Sequence, residues 1–353
     1  MPEIPIDLFM FEILPNLTAR DVGRYKLVCK EWCSFLSTVF FARLHCRKMP
    51  SLTKMQFVLI TGGIHRPLRT LSYGSANISL TEIVKMPFKT RAEYMMILGS
   101  LHGMLCVCLS NTCQLLIWNP LTNAYRNLSI PKKYGFFKVN FDVVGFYVDY
   151  LKDYNLLHVV FRRNNQSVYI YSMESQCWRQ IKFVKDFILD DQTVQWSCGT
   201  LCCNGLYFTV GSCWDYNVAL IVRFDVNLET FTKVSFPFDE YEVNFRGSLV
   251  NVSDELHFFV LHGAFDVSVD LWKLKGEEWI RILSVPDIDC IPLPIKCFVR
   301  YIGSSKKWLL MTDYGDVYEF DLDVRKVDNF YPIINFYALK GAVYSESLMS
   351  PNV

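Results

Sequence analysis

Cysteines are the residues of this chain best suited to metal binding or nucleophilic chemistry, because a thiolate does both. The 353-residue chain contains 13 of them. Cys106 and Cys108 alternate along one predicted strand, and Cys198, Cys202 and Cys203 form a second group. Neither group pairs a C-x2-C segment with a second half, which is the spacing typical of structural zinc. We therefore predict no metal and no cofactor, and expect these cysteines to be small buried apolar side chains.

Other catalytic arrangements are also missing from the sequence. The histidines are scattered along the chain, and no Gly-x-Ser-x-Gly segment accompanies them. Adjacent carboxylates such as Asp190-Asp191 fall in predicted turns, where acidic residues satisfy nearby backbone amides. A glycosidase would need two carboxylates that converge on a cleft, and the sequence contains no glycine-rich phosphate loop. We predict a protein that is not an enzyme.

The charge and the ends of the chain limit its partners and its compartment. Lys and Arg number 36 against 35 Asp and Glu, so no nucleic-acid or membrane partner is indicated. The first residues lack the basic region and apolar run of a signal peptide. No stretch approaches the roughly 18 apolar residues that cross a bilayer. An odd number of scattered cysteines fits a reducing compartment, so we expect an intracellular protein, cytoplasmic or nuclear.

The elements that could position functional side chains begin with a helical stretch over residues 5–40. Its second half carries an apolar stripe at spacings of 3, 4, 3 and 4, which predicts one amphipathic helix. Thr18 is predicted to cap that helix, with Asp21 near its positive end. An earlier short helix is predicted from Ile6 to Leu14. The stripe is formed by Val22, Tyr25, Cys29, Trp32 and Leu36.

About 40 residues bury too little surface to be stable alone, and the apolar residues are spread around these helices. One interpretation is a helical cap docked on the main domain. The other is a docking module whose second face binds another protein.

The order of residues in this stretch resembles an F-box, most clearly in the segment VCKEW. The matching positions are Pro5, Asp7-Leu8, Glu12-Ile13-Leu14, Leu17, Arg20, Val28-Cys29-Lys30, Trp32 and Phe40. A second Leu-Pro is usual in the family, and this chain has Leu17-Thr18 instead. The resemblance implies a three-helix module over residues 1–48 that docks on a Skp1-like adaptor and, through it, on a cullin. The docking residues implied in this way are Pro5, Leu8, Ile13, Leu14, Val28, Cys29 and Trp32.

Beyond residue 50 the sequence repeats about every fifty residues. Each repeat has an apolar strand ending in an aromatic residue, then a polar turn and another strand, and a further strand pair precedes it. A unit of roughly 50 residues with four strands is typical of a kelch-like propeller blade. The recurring aromatics are Trp118, Tyr171, Phe224, Trp272 and Phe320, separated by 53, 53, 48 and 48 residues.

A sixth unit is predicted from the two ends of this region. Residues 56–90 contain three strand-like segments and lack a fourth, while the segment from Gly341 to Leu348 supplies one strand. Pairing them would complete the unit and protect its edge. We therefore predict a mainly β chain with a kelch-like propeller of six blades over residues 49–353. Seven blades or an open stack of sheets stay open as alternatives.

This region resembles the F-box-associated propeller domain that is widespread in plants. True kelch repeats carry a double glycine in every blade, and this chain has only Gly62-Gly63. The residues that carry the resemblance are Trp118-Asn119-Pro120, Thr122, Tyr125, Trp178-Arg179, Phe224-Asp225, Trp279 and Glu346-Ser347-Leu348.

Together the two resemblances imply the substrate-recognition subunit of an SCF-type ubiquitin ligase, in which the propeller binds an unknown target protein. Most tryptophans are expected in the core, because large aromatics fill the gaps between blades. Trp196 and Trp214 fall in less regular stretches and are our candidates for exposed target-binding rings. Two alternatives stay open at this point. One is an F-box protein acting outside the ligase, and the other is a propeller lectin or enzyme with an incidental helical start.

Overall fold

The chain is described by a computed structural model. It describes residues 5–48, 56–60, 69–73, 78–82, 86–87, 95–109, 114–128, 143–162, 165–182, 194–212, 217–238, 245–263, 268–285, 298–302, 307–311, 317–321, 326–331 and 341–352. Trp214, one of the two predicted target-binding residues, lies outside these ranges.

The N-terminal residues form a helical module, as predicted. It begins with α1 (Ile6–Leu8), which continues as a π-helical turn (Phe9–Ile13) and a 3-10 turn (Leu14–Asn16). Three further helices follow, α2 (Ala19–Tyr25), α3 (Lys30–Leu36) and α4 (Val39–Lys48). The end of α4 returns to the first segment, where the Lys48 ammonium lies 2.7 Å from the Glu12 carboxylate. None of the helices in the described part of the chain is long and apolar enough to cross a membrane.

The rest of the described chain is β structure, which confirms the predicted fold class. The first strands are β1 (Gln56–Ile60), β2 (Arg69–Tyr73), β3 (Ile78–Glu82), β4 (Met95–Leu101), β5 (Met104–Leu109), β6 (Gln114–Trp118) and β7 (Tyr125–Leu128). Next come β8 (Val143–Val148), β9 (Tyr154–Arg162), β10 (Asn165–Ser172), β11 (Trp178–Ile181), β12 (Val194–Trp196), β13 (Thr200–Cys202), β14 (Gly205–Ser212), β15 (Val218–Asp225) and β16 (Thr230–Val234). The last are β17 (Phe245–Val252), β18 (Glu255–His262), β19 (Ser268–Lys275), β20 (Glu278–Val285), β21 (Phe298–Ile302), β22 (Lys307–Met311), β23 (Val317–Asp321), β24 (Lys326–Tyr331) and β25 (Gly341–Tyr344).

These strands pair into antiparallel sheets, and in every described sheet but the first the strands follow one another in sequence order. In the described part of the chain there are six, five of four strands and one of five. The repeating aromatics that revealed the pattern occupy equivalent places, in β6, β10, β15, β19 and β23. If the strands of a sheet are counted in hydrogen-bonded order from its first strand in the sequence, each of these is the third. The number of blades in the propeller stays a prediction.

The C-terminal strand completes the first sheet, as predicted from the missing fourth strand. β25 pairs antiparallel with β1, with Phe57 opposite Tyr344 and Val58 opposite Val343. The strand order of this sheet is β25-β1-β2-β3. Tyr344 is also 3% exposed and packs into the core of β4–β6, beside Trp118.

The chain divides into two compact units. The first comprises residues 1–136 and 340–353, and the second residues 137–339. The first contains the helical module and two sheets. The second contains four sheets, of which the third sheet (β8–β11) and the fourth (β12–β16) share one apolar core, while the fourth and the fifth (β17–β20) share another. The predicted boundary between residues 48 and 49 stays a prediction.

Candidate docking surface

Two helices of the module begin at side-chain caps. The Thr18 hydroxyl accepts a hydrogen bond from the backbone amide of Asp21 at 3.2 Å and donates to the Asp21 carboxylate at 2.7 Å. This confirms the predicted start of α2 and places a carboxylate at the positive helix end. At α3, Cys29 Sγ accepts from the backbone amide of Trp32 at 3.5 Å. This second cap is weak, because a thiol sulfur is a poor acceptor.

The apolar stripe that was predicted as one helix is divided between α2 and α3. The chain turns after Tyr25, and Cys29 is extended, with φ −156° and ψ 170°. The β-branched Val28, in the turn between the two helices, is a poor helix former, which favours the interruption. The stripe still packs as predicted across the break, since the Tyr25 and Trp32 rings lie 5.8 Å apart. The module therefore has four helical segments rather than the predicted three.

The core of the module draws on all of these segments. Phe9 packs against Trp32 with ring centroids 5.0 Å apart, and Phe11 packs against Phe35 at 5.4 Å. Both contacts join the first helical segment to α3. The most buried side chains are Leu14, Ala19, Val22, Leu36, Phe41, Ala42 and His45.

Several large apolar side chains of the module are exposed outside this core. Of the twelve exposed large apolar side chains in the described part of the chain, seven lie between residues 6 and 40. Leu27 is 87% exposed, and Val28 and Phe40 are 60% exposed. Concentrations of exposed apolar side chains are typical of protein-interaction sites, which makes this set the candidate docking surface. We call this set the docking surface, and its members are Ile6, Leu8, Phe11, Leu27, Val28, Val39 and Phe40.

The seven predicted docking residues differ in how far the structure exposes them. Pro5, Leu8, Val28 and Cys29 are exposed, and Ile13 and Trp32 are half-buried. Leu14 is fully buried and offers no surface to a partner, which corrects its predicted position. Five members of the docking surface were not assigned to docking from the sequence, namely Ile6, Phe11, Leu27, Val39 and Phe40. None of them belongs to the apolar stripe from Val22 to Leu36, so the spacing that predicted the helix gave no signal for them.

His45 cross-links the module from inside. Its ring is fully buried on α4, and Nε2 donates a hydrogen bond to the Leu17 carbonyl at 2.9 Å. Burial lowers the pKa of His45, so the ring is held in its neutral form. Its Nδ1 atom is also buried and has no hydrogen-bond partner in the described part of the chain.

The module is tied to the end of the chain by an ion pair. Arg20 Nε donates to both oxygens of Glu346, at 2.8 and 3.0 Å, and this carboxylate raises the pKa of Arg20. Just beyond, Asn119 Nδ2 donates to the carbonyls of Ser347 and Met349 at 2.9 and 2.6 Å. Asn119, Glu346 and Ser347 carried the resemblance to the propeller domain, and their contacts are structural.

The predicted target-binding aromatic Trp196 is buried. It lies on β12 with 6% of its surface exposed and packs edge-on against Phe208 at 5.6 Å. The expectation of an exposed ring at this position is wrong, because β12 pairs with β14 and turns the indole into the shared core.

The cysteines follow the predicted burial only in part. Cys106, Cys108 and Cys202 are buried, as expected, whereas Cys198 is half-buried and Cys203 is exposed. The exposed thiol of Cys203 is therefore a correction to that prediction, and its surroundings are described below.

Comparison with known proteins identifies a family model and several plant relatives. The family described as "F-box associated beta propeller domain" matches residues 63–295. An F-box protein of Arabidopsis thaliana is 23% identical over 341 residues, covering 89% of this chain and 83% of its own length. An F-box/kelch-repeat protein of the same plant is 24% identical, covering 99% and 96%. The A. thaliana F-box protein CPR1 is 24% identical, covering 93% and 84%. Among solved structures, a chain from the crystal structure of the mitotic checkpoint complex aligns with a TM-score of 0.40 and 12% identity, over 75% of this chain and 76% of that one.

Proposed function

The chain belongs to the family of the F-box associated β-propeller domain, and from this we propose that it is the substrate-recognition subunit of an SCF-type ubiquitin ligase. In this proposal the helical module binds a Skp1-like adaptor, which connects the chain to a cullin. The sheets bind a target protein through the loops between their strands. The chain performs no bond chemistry of its own. It would act inside the cell, in the cytoplasm or the nucleus.

The observation that carries the proposal is the docking surface. Leu27, Val28 and Phe40 each leave most of their surface in water, and full burial of such a side chain is worth roughly 1.5–3 kcal/mol. A helical module that exposes several of them at once gains by binding a second apolar surface. Helices that offer apolar side chains at successive turns suit a groove or helix of matching character.

The proposed adaptor role works through local concentration. Holding a target near a ubiquitin-charged enzyme converts an encounter in solution into one within a single assembly. The rate gain then depends on positioning, and the chain needs no catalytic group for it.

The adaptor interface is tested by measuring the Kd of a purified Skp1-like protein for the full chain. We expect the double substitution Leu8→Asp and Val28→Asp to abolish binding, because each places a charge in an apolar interface. Loss of an anchor residue costs at least about 2 kcal/mol, about thirtyfold in Kd. Both side chains are exposed, 49% and 60%, so the module should still fold.

A matched control is available on β20. Ile280 and Ile282 are 47% and 48% exposed and lie outside the helical module. Replacing both by Asp makes the same chemical change and should leave the Kd for the adaptor unchanged. Equal loss of binding in the two double variants would contradict the assignment of the docking surface.

An F-box protein acting outside the ligase would bind the adaptor equally well, so target lifetime is a separate test. The half-life of a protein bound by the sheets should lengthen when the proteasome is blocked. It should lengthen similarly when the Leu8→Asp and Val28→Asp variant replaces the native chain. A half-life unchanged by either treatment would contradict the ligase role even if adaptor binding is intact.

A further inference from the structure

Two thiols and a carboxylate meet at the seam between the fourth and fifth sheets, in the second compact unit. Cys202 ends β13, Cys203 follows it in the turn to β14, and Asp254 lies in the turn between β17 and β18. Their three ligand atoms, two Sγ and one carboxylate oxygen, all lie within 4.8 Å of one another. Cys202 is buried, whereas Cys203 and Asp254 are exposed.

The separation of the two sulfur atoms matches that of two ligands on one metal ion. Cys202 Sγ and Cys203 Sγ are 3.7 Å apart. Two thiolates bound tetrahedrally at about 2.3 Å from a zinc ion lie about 3.8 Å from each other. The thiols therefore need almost no movement to bind the same ion.

Hydrogen bonds hold both the Asp254 carboxylate and the turn that carries it. Its Oδ1 accepts from the Cys203 backbone amide at 3.1 Å, which leaves Oδ2 for a metal. The Asp254 amide donates to Asn251 Oδ1 at 2.9 Å, and Asn251 Nδ2 donates to the Leu201 carbonyl at 2.6 Å. Metal ligands are commonly oriented by outer partners of this kind.

Cys203 is also an unusual residue for its backbone position. Both central residues of its turn lie in the left-handed region, Cys203 with φ 45° and Asn204 with φ 60°. The facing turn has the same form, with Ser253 at φ 54° and Asp254 at φ 62°. Asn and Asp are ordinary residues in such turns, and Cys is not among those preferred there.

We propose that Cys202, Cys203 and Asp254 form a binding site for a thiophilic divalent cation, with zinc as the best fit. Two sulfurs and one oxygen suit zinc better than calcium or magnesium, which take oxygen ligands. Because two of the three ligands are exposed, a water molecule can complete the tetrahedron. Its ligands come from two sheets, 51 residues apart between Cys203 and Asp254, which is why a search for C-x2-C spacing does not find it.

Binding replaces two thiol protons by one cation. The Cys203 thiol now donates to the Asp254 backbone carbonyl at 2.9 Å. As each sulfur–metal bond forms, that sulfur releases its proton to solvent. The bound ion would cross-link the β13–β14 turn to the β17–β18 turn and so stabilise the contact between the two sheets.

The test is a cobalt(II) titration of the reduced, metal-free full chain. We expect one Co²⁺ per chain, with the ligand-field bands of four-coordinate cobalt and a thiolate-to-cobalt charge-transfer absorption. One equivalent of Zn²⁺ should displace it. A spectrum showing only six-coordinate cobalt would overturn the proposal.

Three variants assign the signal to these residues. Cys203→Ser should lower the thiolate-to-cobalt charge-transfer absorption by about half or more, because only one sulfur ligand remains. Asp254→Asn should weaken zinc binding by at least roughly 10- to 100-fold, the loss typical of removing an outer hydrogen-bond partner. Cys177→Ser is the matched control, since Cys177 is an exposed free cysteine in another turn of the same unit, and it should bind cobalt normally. Thermal unfolding of each variant checks that it is folded. Unchanged cobalt binding in a folded Cys203→Ser chain would overturn the proposal.

Discussion

Thr18 and Cys29 perform the same task at the starts of consecutive helices, with side chains of very different capping strength. A hydroxyl oxygen is a strong cap, and Thr18 is therefore recognisable as one from the sequence. A thiol is not among the usual caps, so no residue near Cys29 predicted a helix start. The same residue fitted the apolar spacing of a continuing helix, and the break between α2 and α3 was missed for that reason.

His45 makes the stability of the helical module depend on pH. Burial lowers its pKa in the folded chain, so the unfolded chain, with an ordinary value of about 6.5, binds the proton more readily. The contribution of the neutral ring is therefore complete above about pH 6.5 and is lost progressively as the pH falls below that value. We expect the melting temperature of the module to fall between pH 7.5 and pH 5.5, as measured by thermal unfolding.

His45→Gln provides the comparison for this prediction. A Gln amide can still donate to the Leu17 carbonyl but does not titrate, so its melting temperature should depend less on pH than that of the native chain. His257 is also buried with a lowered pKa and contributes equally to both proteins. The same pH dependence in native and variant chains would show that His45 is not the group responsible.

At the scale of elements, Asn119 joins the turn after β6 to the C-terminal segment. Besides its bonds to Ser347 and Met349, its Oδ1 accepts from the backbone amides of Leu121 and Thr122 at 2.9 and 3.3 Å. The side chain is fully buried. One amide thus satisfies two donors and two acceptors of the backbone, which no apolar side chain could do.

Asn119→Ala should therefore destabilise the first compact unit. Buried backbone groups left without partners cost about 1–3 kcal/mol, so we expect a loss of about 2–3 kcal/mol in denaturant unfolding. Asn127→Ala is the control, since Asn127 is exposed and its side chain accepts a hydrogen bond from Gln114 Nε2 at 2.8 Å. Its effect should stay within about 0.5 kcal/mol. Similar losses in the two variants would contradict the anchoring role of Asn119.

The elements that the sequence predicted well are the strands marked by a repeating residue pattern. The aromatics of β6, β10, β15, β19 and β23 recur at nearly constant spacing, because each fills the same place in its sheet. The pairing of β25 with β1 was predicted from counting, since three strands without a fourth leave an open edge.

The sequence did not predict which side chains are buried, because burial depends on which other elements pack over them. Apolar spacing placed Leu14 and Val28 on helices, yet it could not distinguish the buried Leu14 from the exposed Val28. Trp196 lies in an irregular stretch of sequence, and only the pairing of β12 with β14 shows that its ring is buried. The thiols of Cys202 and Cys203 meet Asp254 through the packing of two sheets, which no spacing along the chain records.

At the scale of the whole molecule, the last residues of the chain complete a sheet made from the beginning of the β region. Residues 341–353 supply β25 to the first sheet, Tyr344 to the core beside Trp118, and Glu346 to Arg20 of the helical module. Removal of this segment would expose an edge of β1 and uncover apolar side chains at the same time. The first compact unit should therefore lose stability from two sources that act on the same strand.

A chain ending at residue 340 tests this directly by amide hydrogen exchange. The amides of β1 should exchange at least about tenfold faster than in the full chain, because a tenfold change corresponds to only about 1.4 kcal/mol of lost protection. The Glu346→Ala variant removes the ion pair but keeps β25, so it distinguishes the two contributions to stability. Arg20 is 64% exposed, and an exposed pair contributes about 0–1 kcal/mol, so this variant should keep β1 protected. Equal protection of β1 in the truncated and full chains would mean that β25 does not stabilise the sheet, and the closure of the first sheet by the end of the chain would have to be abandoned.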